Sequence, residues 1–181
     1  EIISALFGYG KFNESSVYNS ARALYFFSIG LPAFAMIKVF SSFFFANHDT
    51  KTPFYISLLS VALNILISVY FFNSIGFIII PIATTLSSWF SLIALFFLLK
   101  KKKLFNFNDI FIKRFFKIIF ASILMGLFFN YLINLFYEQL AFENSLKSIY
   151  LIVSVVLGLC FYLLISYLIK AFQLEDIKLK Y

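Results

Sequence analysis

Ser28-Ile29-Gly30-Leu31-Pro32-Ala33-Phe34-Ala35-Met36-Ile37-Lys38-Val39-Phe40 decides the fold class, and the chain runs on from it to Asn47-His48-Asp49-Thr50-Lys51-Thr52-Pro53. Most of the first stretch is apolar enough to lie in a bilayer. Yet it holds a glycine, a proline and a lysine, none of which a lipid-facing anchor needs. Glycine and proline persist in a membrane helix because neighbouring helices re-satisfy the freed backbone groups. An ionisable residue within a span faces a bundle interior or a wet cavity by default. The segment therefore reads as the key helix of a transporter, with Gly30 and Pro32 as a structural hinge and Lys38 as a candidate cavity cation.

Outward from that stretch, composition fixes the class. Hydrophobic residues make up 62% of the 181 and charged residues 13%, half the charged share of a soluble domain. The apolar runs are long and continuous, unlike the short alternating strands of a membrane barrel. The expectation is an all-α polytopic transmembrane helical bundle: five complete spans and the end of a sixth. A single cysteine, Cys160, leaves no internal disulfide and no cysteine metal cluster. It reads as a small buried hydrophobe. The net charge of +7 lies between spans, so it reports topology and not a nucleic-acid partner.

The chain begins at Glu1, and Ile2 to Phe7 read as the tail of a helix, so it is read as the C-terminal piece of a longer protein. Gly8 to Ser16 form a polar loop in which Asn13 or Ser15 caps a short helix leading into the first span. That span covers about residues 21–46 and tilts or kinks at Pro32. After a short loop, Thr52 supplies a capping hydroxyl and Pro53 starts the second span, 53–72. Ser57, Ser60, Asn64 and Ser68 recur at helical spacing and form a polar stripe. Such a stripe bonds to a neighbouring helix or lines a cavity; Asn64 is a candidate substrate contact on the second alternative. The Asn73–Gly76 turn leads to the third span, 76–99, interrupted by Pro81. Thr84, Thr85, Ser87, Ser88 and Ser91 give it a small polar middle suited to close packing, and Trp89 reads as a core residue. Residues 101–114 form a basic loop, 115–169 hold two more spans, and 170–181 form a charged tail.

Orientation follows from the basic residues. Eleven of the fifteen, Lys51, Lys100–Lys103, Lys113, Arg114, Lys117, Lys170, Lys178 and Lys180, fall on one side. Lys11, Arg22 and Lys147 fall on the other. The positive-inside rule places the eleven, and the C-terminus, in the cytoplasm. The run Lys100, Lys101, Lys102, Lys103 reads as a stop signal that attracts anionic lipid. Lys38 lies about 13 Å from the inner end of its span, at ~1.5 Å rise per residue. It either snorkels to the interface or meets a phosphate in a cavity. His48 and Asp49 lie in a short solvated loop, where Asp49 caps the turn in preference to relaying protons.

Leu6-Phe7-Gly8-Tyr9-Gly10-Lys11-Phe12, Gly30-Leu31-Pro32-Ala33-Phe34, Lys38-Val39, Phe45 to Pro53, Asn64 and Ala83-Thr84-Thr85-Leu86 together resemble the MurJ (MviN) lipid II flippase family, over about residues 5–100. The resemblance implies a fourteen-helix inner-membrane exporter of two six-helix lobes around a cavity, with two extra C-terminal helices. This chain would supply residues 1–100 to the second lobe and 115–169 as the extra pair. The implied substrate is the undecaprenyl-diphosphate-linked peptidoglycan precursor, the implied partner the rest of the same transporter, and no cofactor is implied. Lys38 matches a cavity lysine of the family. Pro81, where a small residue is expected, and Ser91, where asparagine is common, depart from the pattern. Two other readings remain open: a polysaccharide-lipid flippase or drug antiporter of the same superfamily, and a membrane enzyme acting on polyprenyl phosphates. The enzyme would need acidic or histidine clusters at the membrane edge; His48 with Asp49, and Glu175 with Asp176, are the nearest approach.

Overall fold

A computed structural model of the chain describes residues 2–7, 13–104, 109–140, 144 and 146–171. The described residues are helical: α1 (Ile2–Phe7), α2 (Glu14–Ala46), α3 (Lys51–Ile75), a 3-10 turn (Gly76–Ile78), α4 (Ile79–Lys101), α5 (Asp109–Leu135) and α6 (Lys147–Leu168). No strand occurs among them. Four stretches are long and apolar enough to cross a membrane: Glu14–Ala46, Lys51–Lys101, Ile112–Leu135 and Lys147–Leu168. The second of these folds back at Gly76–Ile78 into α3 and α4, which pack side by side, so five long helices result. The polar loop from Gly8 to Phe12, residues 105–108, most of the 141–145 loop and the tail beyond Ala171, with Glu175 and Asp176, lie outside the described residues.

The chain divides into two compact units, residues 18–106 and residues 1–17 with 107–181. In the first, α3 and α4 are antiparallel: Ser60 bonds to the Ser87 carbonyl and Asn64 to Thr84. Gly76 makes the bend between them. Its φ is +72°, a conformation that costs glycine nothing and other residues more, and its N–H closes α3 on the Phe72 carbonyl. Pro81 follows as the third residue of α4, buried. N–H groups of a first helical turn lack intrahelical acceptors, so this proline removes no bond, and its departure from the family pattern needs no break in the span. The turn itself lies slightly later than expected, because α3 persists to Ile75.

Phe40, Phe44, Ile56, Leu95 and Leu99 form the buried cluster of this unit, flanked by Met36, Ile37, Leu92 and Phe96. Lipid tails are as apolar as leucine, so close packing and interhelical hydrogen bonds, more than release of water, hold such helices together. The expected short helix before the first span is absent. One helix runs without interruption from Glu14 to Ala46, with Pro32 inside it. Asn13 caps it, accepting the Ser16 N–H at 3.0 Å and the hydroxyls of Ser15 and Ser16 at 2.8 Å each.

In the other unit α5 and α6 pair, and α1 lies against α6. Phe128 stacks on Phe161 with centroids 4.3 Å apart. Leu140 and Leu151 are buried with Ile133, Phe136 and Tyr150 around them. Cys160, expected buried, is exposed on α6. Lys147, 1% exposed, is partnered at the first residue of α6, although a helix N-terminus disfavours a cation. No sequence pattern distinguished it from the other loop lysines.

Candidate functional site

Within residues 18–106 the polar side chains converge on α4. Thr85 donates to the Phe26 carbonyl of α2 at 2.7 Å, and the Trp89 indole N–H to the Ile29 carbonyl at 3.1 Å. Both acceptors lie within the two turns before Pro32, whose missing N–H leaves the Ser28 carbonyl without its helical donor. Two donors from α4 thus grip α2 at Phe26 and Ile29, on either side of that gap. Gly30 makes this approach possible: a Cβ there would stand 3.1 Å from the Thr85 hydroxyl and 3.0 Å from the Phe34 ring. Trp89 is therefore no core residue. Its ring is 37% exposed, and the N–H fixes its place.

The other side of α4 takes the stripe on α3. Asn64 donates to the Thr84 hydroxyl at 3.0 Å and to the Ser87 hydroxyl at 3.4 Å, Ser68 donates to Asn64 at 3.4 Å, and Ser60 donates to the Ser87 carbonyl at 2.8 Å. Ser57 turns back on the Phe54 carbonyl. The same face borders a cleft of about 330 Å³, lined by Phe34, Ile37, Ser60, Asn64, Thr84 and Ser91 among others. The stripe thus both packs and lines a cavity.

Lys38 is exposed, while Gly30, Ala33, Phe40 and Phe44 carry the packed face of α2. At about 100° per residue, Lys38 stands well off that face. The structure brings Gly30 to α4 and Asn64 to Thr84, but it does not bring Lys38 to either.

One end of the unit is built from loop and helix-end residues. Helix α2 closes with the Asp49 N–H on the Phe44 carbonyl and the His48 N–H on the Phe45 carbonyl, a Schellman motif. His48 takes the left-handed position at φ +56°, where histidine is better tolerated than most residues. Helix α4 ends likewise, with Lys103 at φ +54° and Leu104 folded onto Leu99. Thr52, expected to cap α3, is instead capped. Asp49 accepts its N–H at 3.0 Å and its hydroxyl at 2.7 Å, a contact type worth about 1 kcal/mol. Pro53 lies within the same first turn. Lys102 ion-pairs with Asp49, donates to the Thr52 hydroxyl at 3.2 Å, and lies 5.6 Å over the centre of the buried Phe44 ring. The Lys102 hydrogen bond, and then those from Thr52, hold the Asp49 carboxyl well below the usual carboxylate range. A carboxylate so engaged is poorly suited to accept and release protons near neutral pH. Among the described residues no three His, Cys, Asp or Glu side chains gather as a metal-binding group.

The family model described as Lipid II flippase MurJ matches residues 1–151. The chain belongs to the MurJ lipid II flippase family. Relatives named probable lipid II flippase MurJ agree. That of Thermotoga maritima is 34% identical over 97% of this chain and 34% of its own length. That of Rickettsia prowazekii is 29% identical over 97% and 35%, and that of Borreliella burgdorferi 29% over 87% and 31%. The chain spans about a third of the length of these curated relatives. Family and apolar helices together make it part of a multi-pass membrane protein. The match passes residue 100, where the motif-level resemblance stopped, and takes in α5.

Proposed function

We propose that the chain is the C-terminal part of a lipid II flippase, which moves undecaprenyl-diphosphate-linked peptidoglycan precursor across the bacterial inner membrane. The activity is transport, with no bond made or broken. Residues 1–100 serve the second lobe, residues 115–169 form the additional helix pair, and the C-terminus is cytoplasmic by the distribution of basic residues. The observation that carries this reading is the family match over residues 1–151, joined to a lysine exposed on a helix whose other face is pinned to α4.

Lys38 is the proposed contact for the substrate pyrophosphate. A charge well inside a span costs about 2.5–3.5 kcal/mol on insertion scales, a cost an anionic ligand offsets. Lysine serves phosphate as a compact point charge. Asn64 is a second, weaker substrate candidate through its cleft. Gly30 and Pro32 act as the hinge of α2, with Thr85 and Trp89 holding the two turns before the proline. Lys100, Lys101 and Lys103 attract anionic lipid, whereas Lys102 is engaged with Asp49.

In the full-length protein, in cells depleted of their own flippase, Lys38→Met should abolish growth rescue and precursor export at normal protein levels. Lys38→Arg should be partly tolerated, and Lys101→Ala should behave as the parent. Normal export by Lys38→Met would show a snorkelling lysine and refute the assignment.

A further inference from the structure

Residues 47–50 and 102–104 lie 53 positions apart in the Asp49–Lys102 pairing, yet they form one assembly. Three kinds of contact meet at the Lys102 ammonium: the Asp49 carboxylate, the Thr52 hydroxyl, and the face of Phe44. Each acceptor belongs to a different piece of structure. Phe44 is the last turn of α2, Asp49 is the connector, and Thr52 is the first turn of α3. Lys102, at the end of α4, therefore touches all three other pieces of this end of the unit. Beneath it lies the cluster of Phe40, Phe44, Ile56, Leu95 and Leu99.

We infer that Asp49 and Lys102 form a releasable latch, and that α2 parts from α4 at this end by release of Lys102 rather than by unfolding of a helix end. Both helix ends are closed independently of the pair. The Schellman bonds finish α2 and α4, and Asp49 caps α3 whether or not Lys102 is present. Breaking the pair thus removes the polar tie among the pieces and leaves each cap intact, with the apolar cluster beneath as the remaining contact between α2 and α4. Lys102 is 44% exposed and Asp49 20%. An ion pair at that exposure contributes weakly and yields to salt, as a latch that opens in use requires. A permanent staple would be buried. The lowered titration range of Asp49 keeps it charged at neutral and mildly acidic pH, so protonation of Asp49 is not what releases the pair there.

The test uses the full-length protein in lipid nanodiscs and reads amide hydrogen exchange over residues 44–53 and 98–104. Asp49→Asn keeps a capping oxygen for Thr52 and removes the charge. Lys102→Ala removes the cation. Each should speed exchange in both segments, by up to about five-fold. The double variant should be no faster than either single one, and the swap Asp49→Lys with Lys102→Asp should recover part of the protection. Lys117→Ala, an exposed lysine on α5, should leave exchange in both segments unchanged. The decisive reading is residues 44–53 in Lys102→Ala, because no capping group has been altered there; unchanged exchange overturns the latch. A second arm rests on the proposed flippase function, whereas the exchange arm does not. With Cys160→Ser in place, cysteines at 49 and 102 joined by a short bis-maleimide should stop precursor export, and reacted but unlinked controls should not. Normal export by the linked protein shows that the latch never opens during transport, and overturns the release step.

Discussion

The two units solve one problem in different ways. In residues 18–106 three helices of nearly uniform apolar character are held in register by polar side chains. Thr85 and Trp89 reach α2, Ser60 and Asn64 reach α4, and Lys102 reaches the connector. In the α5–α6 pair rings and methyl groups meet: Phe128 on Phe161, Phe136 on Tyr150, and Leu140 with Leu151, beside a buried, partnered Lys147. There Ser122 and Ser154 turn their hydroxyls onto their own helices. Apolar burial cannot choose a register in lipid, since any greasy face is as well solvated by tails as by another helix. Directional donors can. The unit with a proline mid-helix and an off-face lysine uses them between its long helices.

The largest expected effect tests whether close approach underlies this polar register. Gly30→Val would place methyl groups against the Thr85 hydroxyl and the Phe34 ring. Overpacking of this kind costs about 1–3 kcal/mol, and it should separate α2 from α4. Thermal unfolding of the purified full-length protein should show it. A parent-like midpoint would mean that α2 has room to slide, and that Thr85 and Trp89 do not fix its position.

A pair of substitutions then compares the units directly. Asn64→Leu removes two interhelical bonds of a kind that averages about 0.6 kcal/mol in membrane proteins, with an upper range near 1.7. Phe161→Leu keeps bulk and removes ring stacking, a contribution of about 0.5–1.5 kcal/mol. Asn64→Leu should also raise exchange across α3, whereas Phe161→Leu should leave α3 untouched. Equal spread of both effects through the chain would erase the distinction between a polar and an aromatic unit.

Sequence reading found the long apolar helices, because apolar runs of bilayer length are a one-dimensional signal. It also found the family, from motifs over residues 5–100, and Asp49 as a cap. It missed which helix is central. Its glycine, proline and lysine make α2 stand out in the sequence, while α4 makes the contacts on both sides. The clue was present in Thr84, Thr85, Ser87, Ser88 and Ser91, whose density marks a helix that others approach. Trp89 misled because tryptophan was weighed as bulk and not as a donor. Cys160 misled because a helix apolar all round has no face legible from periodicity. Lys102 was lost among four lysines: nothing in a run of identical residues says which one meets an acid 53 positions earlier.

The smallest predicted effect concerns that tryptophan. Trp89→Phe keeps an aromatic ring against α2 and deletes only the N–H that reaches Ile29. The Ile29 carbonyl still faces the helical N–H four residues on, so no buried acceptor is orphaned, and the loss should stay near 0.6 kcal/mol. Pro32 should nevertheless amplify it locally. With Trp89 silent, Thr85 is left as the one described α4 side chain donating to the stretch of α2 before the proline. Exchange at residues 26–31 should therefore rise more than the global stability change accounts for, while residues 40–46, held by the Phe40–Leu99 cluster, stay protected. Adding Thr85→Val should extend the loosening through Phe26 and exceed the sum of the two single effects, because either donor alone suffices to hold α2 against α4. Strict additivity would mean that the two bonds act independently, and that the polar grip before the proline is two contacts rather than one device.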